Sequence, residues 1–282
     1  MFNVNLNKQL PCKLKLKYNF KWHVKNLKWS NCLSCISEIL VKKNKSTAEE
    51  GLLKLSKNRY ILRYENECHF ESLPASVIVK GFPMSKIKQR IYKYFKYGHA
   101  EFNNLNEALY RGLPAPKVFA LGVRKNVFFV NYTALVIEDF KYYIPISEVL
   151  RNNCSDSVLI KKVLEKVGVL LIELYNKACN HIDVNPDNIL YSYENDDLRI
   201  IDFMYVNFME TPSNKCLAFN ASYFSEGVKS LIGEELILDL KCNIASLANL
   251  DKNSFLNCCK HFSKNKLSRA DRLKIAGNIN GE

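Results

Sequence analysis

The stretch His181-Ile182-Asp183-Val184-Asn185-Pro186-Asp187-Asn188-Ile189-Leu190, followed by Arg199-Ile200-Ile201-Asp202-Phe203, decides the fold of this chain. It sets a carboxylate, an amide and a second carboxylate in the order that phosphoryl transfer requires. Asp183 can accept the proton of an attacking hydroxyl. Asn188, later in the same loop, can offer an amide oxygen to Mg²⁺, and Asp202 can bring a charged oxygen to the same ion. The residues between them agree. Residues 189–191 and 198–201 have strand character, and Asn195-Asp196-Asp197 between them is turn chemistry. A hairpin is therefore expected to hold Asn188 near Asp202.

Working upstream, Ser76-Val77-Ile78-Val79-Lys80-Gly81-Phe82 forms a β-branched strand pattern carrying one lysine, flanked by Pro74 and Pro83. In a kinase, a strand lysine grips the α- and β-phosphates of ATP and is oriented by a helix glutamate. Glu101 is the first glutamate after Lys80. It opens a segment in which Phe102, Leu105 and Leu109 recur at helical spacing, ended by Gly112 and Pro114. Glu107 competes with it, but lies about 120° further round a helix, so only one of the two can face Lys80. Glu101 is favoured.

In sequence order, these features resemble the bacterial lipopolysaccharide-core kinases, which phosphorylate Kdo or heptose. The resemblance rests on Lys80, Ala100-Glu101-Phe102-Asn103-Asn104-Leu105, Gly112-Leu113-Pro114-Ala115-Pro116-Lys117-Val118 and Ala134-Leu135-Val136-Ile137-Glu138-Asp139-Phe140, then on the two stretches quoted first. It implies an α+β, bilobal protein-kinase-like fold. Residues 1–137 would be a small β-rich lobe of about five strands with one key helix, and residues 138–282 a larger, mainly helical lobe. It implies ATP and Mg²⁺ as cofactors, with Asp183 catalytic and Asn188 and Asp202 holding metal. Lys80 and Glu101 would handle phosphate. Residues 137–140 would form the hinge, where backbone groups of Glu138 and Phe140 meet adenine.

The chain departs from kinase patterns at several places. No Gly-x-Gly-x-x-Gly precedes Lys80, so a phosphate-covering turn must form without glycine's permissive backbone, with residues 66–69 the candidate. Met204 stands where protein kinases have glycine after Asp-Phe, and Tyr175 where family members often have histidine. Asn185 replaces the lysine that protein serine/threonine kinases carry two positions after the catalytic aspartate, and no Ala-Pro-Glu element follows Asp202. A sugar or small-molecule hydroxyl is therefore the expected acceptor, with an aminoglycoside- or choline-type kinase as the alternative. The missing glycine loop also leaves a pseudokinase regulatory module open.

Composition narrows the partners. The net charge is +13, and residues 1–45 hold ten lysines and one acid, while residues 72–100 hold six basic residues and none. A field of that sign suits a lipid-linked anionic glycan and an anionic membrane surface; nucleic acid is not expected. Phe20, Trp22 and Trp29 interleave with lysines, which fits either a bilayer interface or an ordinary edge strand with packed aromatics. There is no apolar run of spanning length and no signal-like start, so the expected location is cytoplasmic, peripheral to the inner membrane. The ten cysteines are then expected to be reduced, and Cys32-x-x-Cys35 lacks a second pair to complete a zinc site.

Further elements are less sharp. Residues 49–57 fit a short helix or loop, and residues 58–64, 116–123 and 127–138 fit strands. Residues 157–176 carry a broad apolar stripe and form the clearest helix. Residues 203–233 show no motif, residues 236–264 are expected to be helical, and a last helix is expected to end at Gly277.

Overall fold

The computed structural model describes residues 12–16, 19–24, 29–42, 51–56, 59–65, 74–84, 98–125, 129–265 and 267–275. Contacts divide the chain into two units. One comprises Met1–Asn106 and Pro116–Lys141, the other Glu107–Ala115 and Tyr142–Glu282. The division thus falls a few residues beyond Ile137, and the segment after Asn106 groups with the second unit.

The first unit contains β1 (Cys12–Lys15), β2 (Phe20–Val24), α1 (Ser30–Lys42), β3 (Leu52–Ser56), β4 (Arg59–Glu65) and β5 (Ser76–Pro83). It also holds the start of α2 (His99–Tyr110), β6 (Val118–Lys125) and β7 (Val130–Glu138). The strands form one sheet in the order β1-β2-β6-β7-β5-β4-β3. That is two strands and one helix more than the sequence suggested. Residues 52–56, expected as helix or loop, pair with β4 instead.

Two of the extra elements, β2 and α1, are held by the aromatics near the N-terminus. Phe20, Trp22 and Val24 alternate inward from β2, Leu33, Ile36 and Leu40 line one stripe of α1, and Trp29, just before that helix, joins them. Phe20 stacks on Trp22 at 5.5 Å, and Trp29 tilts against Phe119 at 4.9 Å. Trp22 Nε1 donates to Ser37 Oγ (2.9 Å), which donates to the Leu33 carbonyl (2.6 Å). The indole is satisfied indoors, as a buried tryptophan must be. The bilayer-interface reading of these rings is therefore overturned: they are core. On the other face of the same hairpin, exposed Lys15 stands opposite exposed Lys21, and Lys13 opposite His23. A Cβ at Gly122 would lie 2.7 Å from the Trp22 ring, so β6 can pass under it only as glycine.

The second unit contains β8 (Ile144–Pro145), α3 (Ile146–Asn152), α4 (Ser157–Asn176), β9 (Cys179–His181), β10 (Ile189–Ser192) and β11 (Asp197–Ile200). These are followed by β12 (Val206–Phe208), α5 (Asn214–Leu247), α6 (Lys252–Lys264) and α7 (Arg269–Ile275). Helix α4 has the expected bounds. Asp156 caps it by accepting from the Leu159 amide (2.9 Å), and Ile160, Val163, Leu164, Val167, Leu170, Leu171 and Leu174 form its buried stripe. Small sheets β11-β10-β8 and β12-β9 complete the unit.

Helix α5 begins in the segment that shows no motif. From Cys216 to Ser225 nearly every side chain is buried, including Asn220 and Ser222, so no polar face exists to produce a period. Ser222 Oγ compensates by donating to the Cys259 carbonyl of α6 (2.9 Å). Gly233 then kinks α5 at φ 81°, a conformation open to glycine. Among the described residues, no helix is long and apolar enough to cross a membrane.

Candidate active site

In the second unit, β9 delivers His181 to the loop that carries Asp183. Asn185 Oδ1 accepts from the amides of Asp187 (2.9 Å) and Asn188 (3.1 Å), and Asn185 N–H donates to the Asp183 carbonyl (2.8 Å). The residue standing in place of a kinase lysine is thus an Asx brace that fixes the loop. Asn188 Nδ2 donates to the same Asp183 carbonyl (2.8 Å), which orients its amide.

The hairpin then brings Asp202 back. Ile189 pairs with Ile200, and Ile201 N–H donates to the Asn188 carbonyl (2.9 Å), so Asp202 is the next residue after a direct link to Asn188. Asp202 has left-handed backbone angles, φ 65° and ψ 58°. For a residue with a Cβ such a state costs on the order of 1–3 kcal/mol and recurs at functional sites. His181 Nε2–H donates to the Ile201 carbonyl (3.0 Å), and its ring meets Phe203 edge-on at 5.1 Å. Burial holds this imidazole below its ordinary pKa of 6.5, against the opposing charges of Asp202 and Asp183. It is a neutral tether.

Asp183 has two partners that the sequence did not reveal. Its Oδ1 accepts from the Tyr223 hydroxyl (3.0 Å), and Arg272 Nη1 lies 3.5 Å from the same oxygen. Arg272 Nη1 also donates to the Ile182 carbonyl (3.0 Å). Tyr223 comes from α5, the helix without a legible period, and Arg272 from the charged tail. No spacing rule links either to Asp183.

In the first unit, Lys80 and Glu101 form a buried ion pair, Lys80 being 5% exposed and Glu101 0%. Glu107 instead binds Arg111 Nε (2.7 Å), an i,i+4 pair. At the end of β7, Asp139 accepts from Arg63 through Nε (2.6 Å) and Nη2 (3.2 Å), and from Ser76 Oγ (2.8 Å). This bidentate anchor pins the segment between Glu138 and Phe140 to β4 and β5. The Glu138 N–H donates to the Lys117 carbonyl (2.9 Å). Any contact from Glu138 to a purine would therefore come from its carbonyl oxygen.

The donor set of Asn188 and Asp202, one amide oxygen and one carboxylate, fits a hard cation such as Mg²⁺, which usually takes one or two protein oxygens plus phosphates and water. Among the described residues, no group of three or more His, Cys, Asp or Glu could hold a metal. No cysteine among the described residues is joined in a disulfide. The turn candidate at residues 66–69 lies outside the described residues.

Comparison with known proteins places this geometry. The chain is similar over 106 residues to a 3-deoxy-D-manno-octulosonic acid kinase of Mannheimia succiniciproducens, with 31% identity, covering 37% of this chain and 42% of that protein. The chain thus matches less than half the length of that relative. Its fold is similar to the solved structure of WaaP in complex with acyl carrier protein, at TM-score 0.55 and 12% identity, covering 77% of this chain and 88% of the other. A sequence model of the lipopolysaccharide kinase (Kdo/WaaP) family matches residues 46–205, more than half of the chain. With its Asp183 loop, its returning Asp202 and its Lys80–Glu101 pair, the chain belongs to the lipopolysaccharide kinase (Kdo/WaaP) family.

Proposed function

We propose that this chain transfers the γ-phosphate of ATP to a hydroxyl of 3-deoxy-D-manno-octulosonic acid or heptose in the lipopolysaccharide inner core. One observation carries the reading: Asn188 is hydrogen-bonded to Asp183 on one side and to Ile201, the residue before Asp202, on the other, so the loop after β9 and the β10–β11 hairpin hold the three residues in one segment. Family membership and the name of the Mannheimia relative support the sugar acceptor over a soluble small molecule.

Each residue then has a task. Asp183 receives the hydroxyl proton as the acceptor oxygen bonds to the γ-phosphorus and the bond to the β-phosphate oxygen breaks, releasing ADP. Lys80, oriented by Glu101, binds the α- and β-phosphates. The Glu138 carbonyl and the Phe140 backbone meet adenine. Asn188 and Asp202 would hold Mg²⁺, which when bound would supply neutralising charge to the phosphates. Positioning does most of the work in such a transfer, which suits a loop as braced as this one.

The enzyme would meet its substrate from the cytoplasmic face of the inner membrane. Support comes from Lys13, Lys15 and Lys21, exposed on one face of the β1–β2 hairpin. Lys17, Lys25, Lys28, Lys86, Lys88 and Lys93, in the same two basic stretches, lie outside the described residues.

The test is mass spectrometry of core oligosaccharide from a strain lacking the gene, complemented with wild type or Asp183→Ala. Deletion should remove one phosphate, wild type should restore it, and Asp183→Ala should not. In vitro the variant should be about 10²–10⁴-fold slower. An unchanged phosphate count would refute the acceptor. Purified protein that neither binds nor turns over Mg·ATP would refute the kinase reading and favour a regulatory module.

A further inference from the structure

We propose that Tyr223 and Arg272 are positioning residues for Asp183, jointly engaging its Oδ1 so that Oδ2 is the oxygen that receives the acceptor hydroxyl. The inference rests on the reading of Asp183 as the base. It adds two residues, from α5 and α7, to a site otherwise built from the loop after β9 and the β10–β11 hairpin.

Three observations converge. The Tyr223 hydroxyl donates to Asp183 Oδ1 at 3.0 Å. The Tyr223 ring is held by two neighbours, stacked on Phe219 at 5.6 Å and covered by the Arg272 guanidinium at 4.8 Å. Arg272 in turn is held by the Ile182 carbonyl at 3.0 Å, so its place beside Asp183 does not depend on the carboxylate alone. Burial and the Asp183 charge both raise the Tyr223 pKa, which keeps its hydroxyl a donor.

The terminal torsion of an aspartate is broad and nearly two-fold, so an unrestrained carboxylate presents either oxygen over a range of angles. Engaging one oxygen from two rigid directions removes that freedom. Near-attack geometry is where much of the rate of a phosphoryl transfer resides. Helix α7 adds little to the core: it buries no residue fully, and its Ile275 packs only at the margin of Ala178, Met209 and Cys216. Its second arginine, Arg269, lies over the Tyr205 ring at 4.3 Å. A short helix fastened by two arginines, one beside the base and one on the turn after Asp202, has a structure suited to orientation rather than to core formation.

Three variants test this: Tyr223→Phe, which removes only the hydroxyl, and Arg272→Ala and Arg272→Lys. Hydrogen bonds to charged groups convert to about 10- to 100-fold in rate, so Tyr223→Phe and Arg272→Ala should lose that much kcat with KM for ATP unchanged. Added guanidinium should restore part of the Arg272→Ala loss, and Arg272→Lys, too short to span both oxygens, should remain impaired. Thermal melts run in parallel. Wild-type kcat in Tyr223→Phe and Arg272→Ala, beside an inactive Asp183→Ala, would overturn this inference and leave the kinase reading intact. So would an Arg272→Ala enzyme faster than wild type, since the arginine would then be blocking the base. Lost activity with a matching loss of thermal stability and no guanidinium rescue would reduce both residues to structural roles and overturn it too. A wild-type protein with no turnover would overturn both readings together.

Discussion

His181 and Ile201 are joined by a hydrogen bond of 3.0 Å from imidazole Nε2–H to carbonyl oxygen, so the residue two before Asp183 grips the residue just before Asp202. The bond uses a neutral ring in a buried site, where burial depresses the pKa. His99, in the other unit, is pushed down to about 4, first by burial and then by His23 and Lys125.

A pH dependence of stability follows from these two histidines. A group whose folded pKa lies below its unfolded value of 6.5 is protonated preferentially in the unfolded chain as pH falls. Its stabilising contribution is therefore complete above about pH 6.5 and is lost between there and the folded pKa, with a slope of at most about 1.4 kcal/mol per pH unit for each histidine. Urea midpoints should be flat from about pH 8 to 7 and fall towards pH 4. His99→Gln, which cannot titrate, should shallow the fall. A profile unchanged down to pH 4 would contradict the assignment.

The Lys80–Glu101 pair should behave as a unit. Lys80→Met leaves a buried carboxylate without its cation, a change that typically costs about 3–5 kcal/mol. The double variant Lys80→Met, Glu101→Leu removes both charges and should recover most of that loss. Denaturant unfolding of the two single variants and the double variant measures the coupling. All three should be inactive, so stability and catalysis separate in the double variant.

Gly227 packs against Pro186 in the loop that carries Asp183. A Cβ there would lie 2.6 Å from Pro186 Cδ, and a proline ring cannot swing aside as a flexible chain end can. Alanine would gain up to about 1 kcal/mol of helix propensity but incur an overpacking cost of about 1–3 kcal/mol. Gly227→Ala should thus be slightly destabilised, with a larger fall in kcat because the displaced loop carries Asp183 and Asn188. Unchanged kcat would show that α5 does not set the loop.

Membrane attachment should be electrostatic. With about 1 kcal/mol per lysine near an anionic surface, Lys13, Lys15 and Lys21 together supply about 3 kcal/mol, screened by salt. In flotation assays the protein should bind anionic vesicles at low salt, ignore neutral ones and dissociate at about 0.5 M salt. Substituting the three lysines with glutamine should weaken binding. A protein that stays off anionic vesicles at low salt would end the membrane proposal.

What could be read from the sequence was local. The Asp183 loop and its hairpin were legible because Asn188 and Asp202 reach the site through short spacings and turn residues. Helix α4 was legible because its buried positions recur every three or four residues. The first half of α5 was not, because burial on all sides erases the period. Tyr223 and Arg272 meet Asp183 from 40 and 89 residues away, beyond the reach of any spacing rule. Phe20, Trp22 and Trp29 formed an ambiguous pattern, since alternation on an edge hairpin and anchoring at a bilayer use the same residues. The polar partner of Trp22, Ser37, decides it, and it sits on a helix the sequence did not announce.

That aromatic layer also governs what a shortened form of this protein would do. Strand β2 pairs along β6 from Phe20 opposite Arg124 to Val24 opposite Ala120. Deleting β1, β2 and α1 would leave the backbone donors and acceptors of β6 that face away from β7 without a neighbour, beside the newly bared surface of Ala120, Ala134 and Val136. An open, apolar sheet margin is a template for pairing between molecules. The N-terminal hairpin therefore acts as a selvedge, finishing a sheet that would otherwise ravel into aggregates, and a catalytic fragment begun at Leu52 should self-associate even with every reacting residue in place.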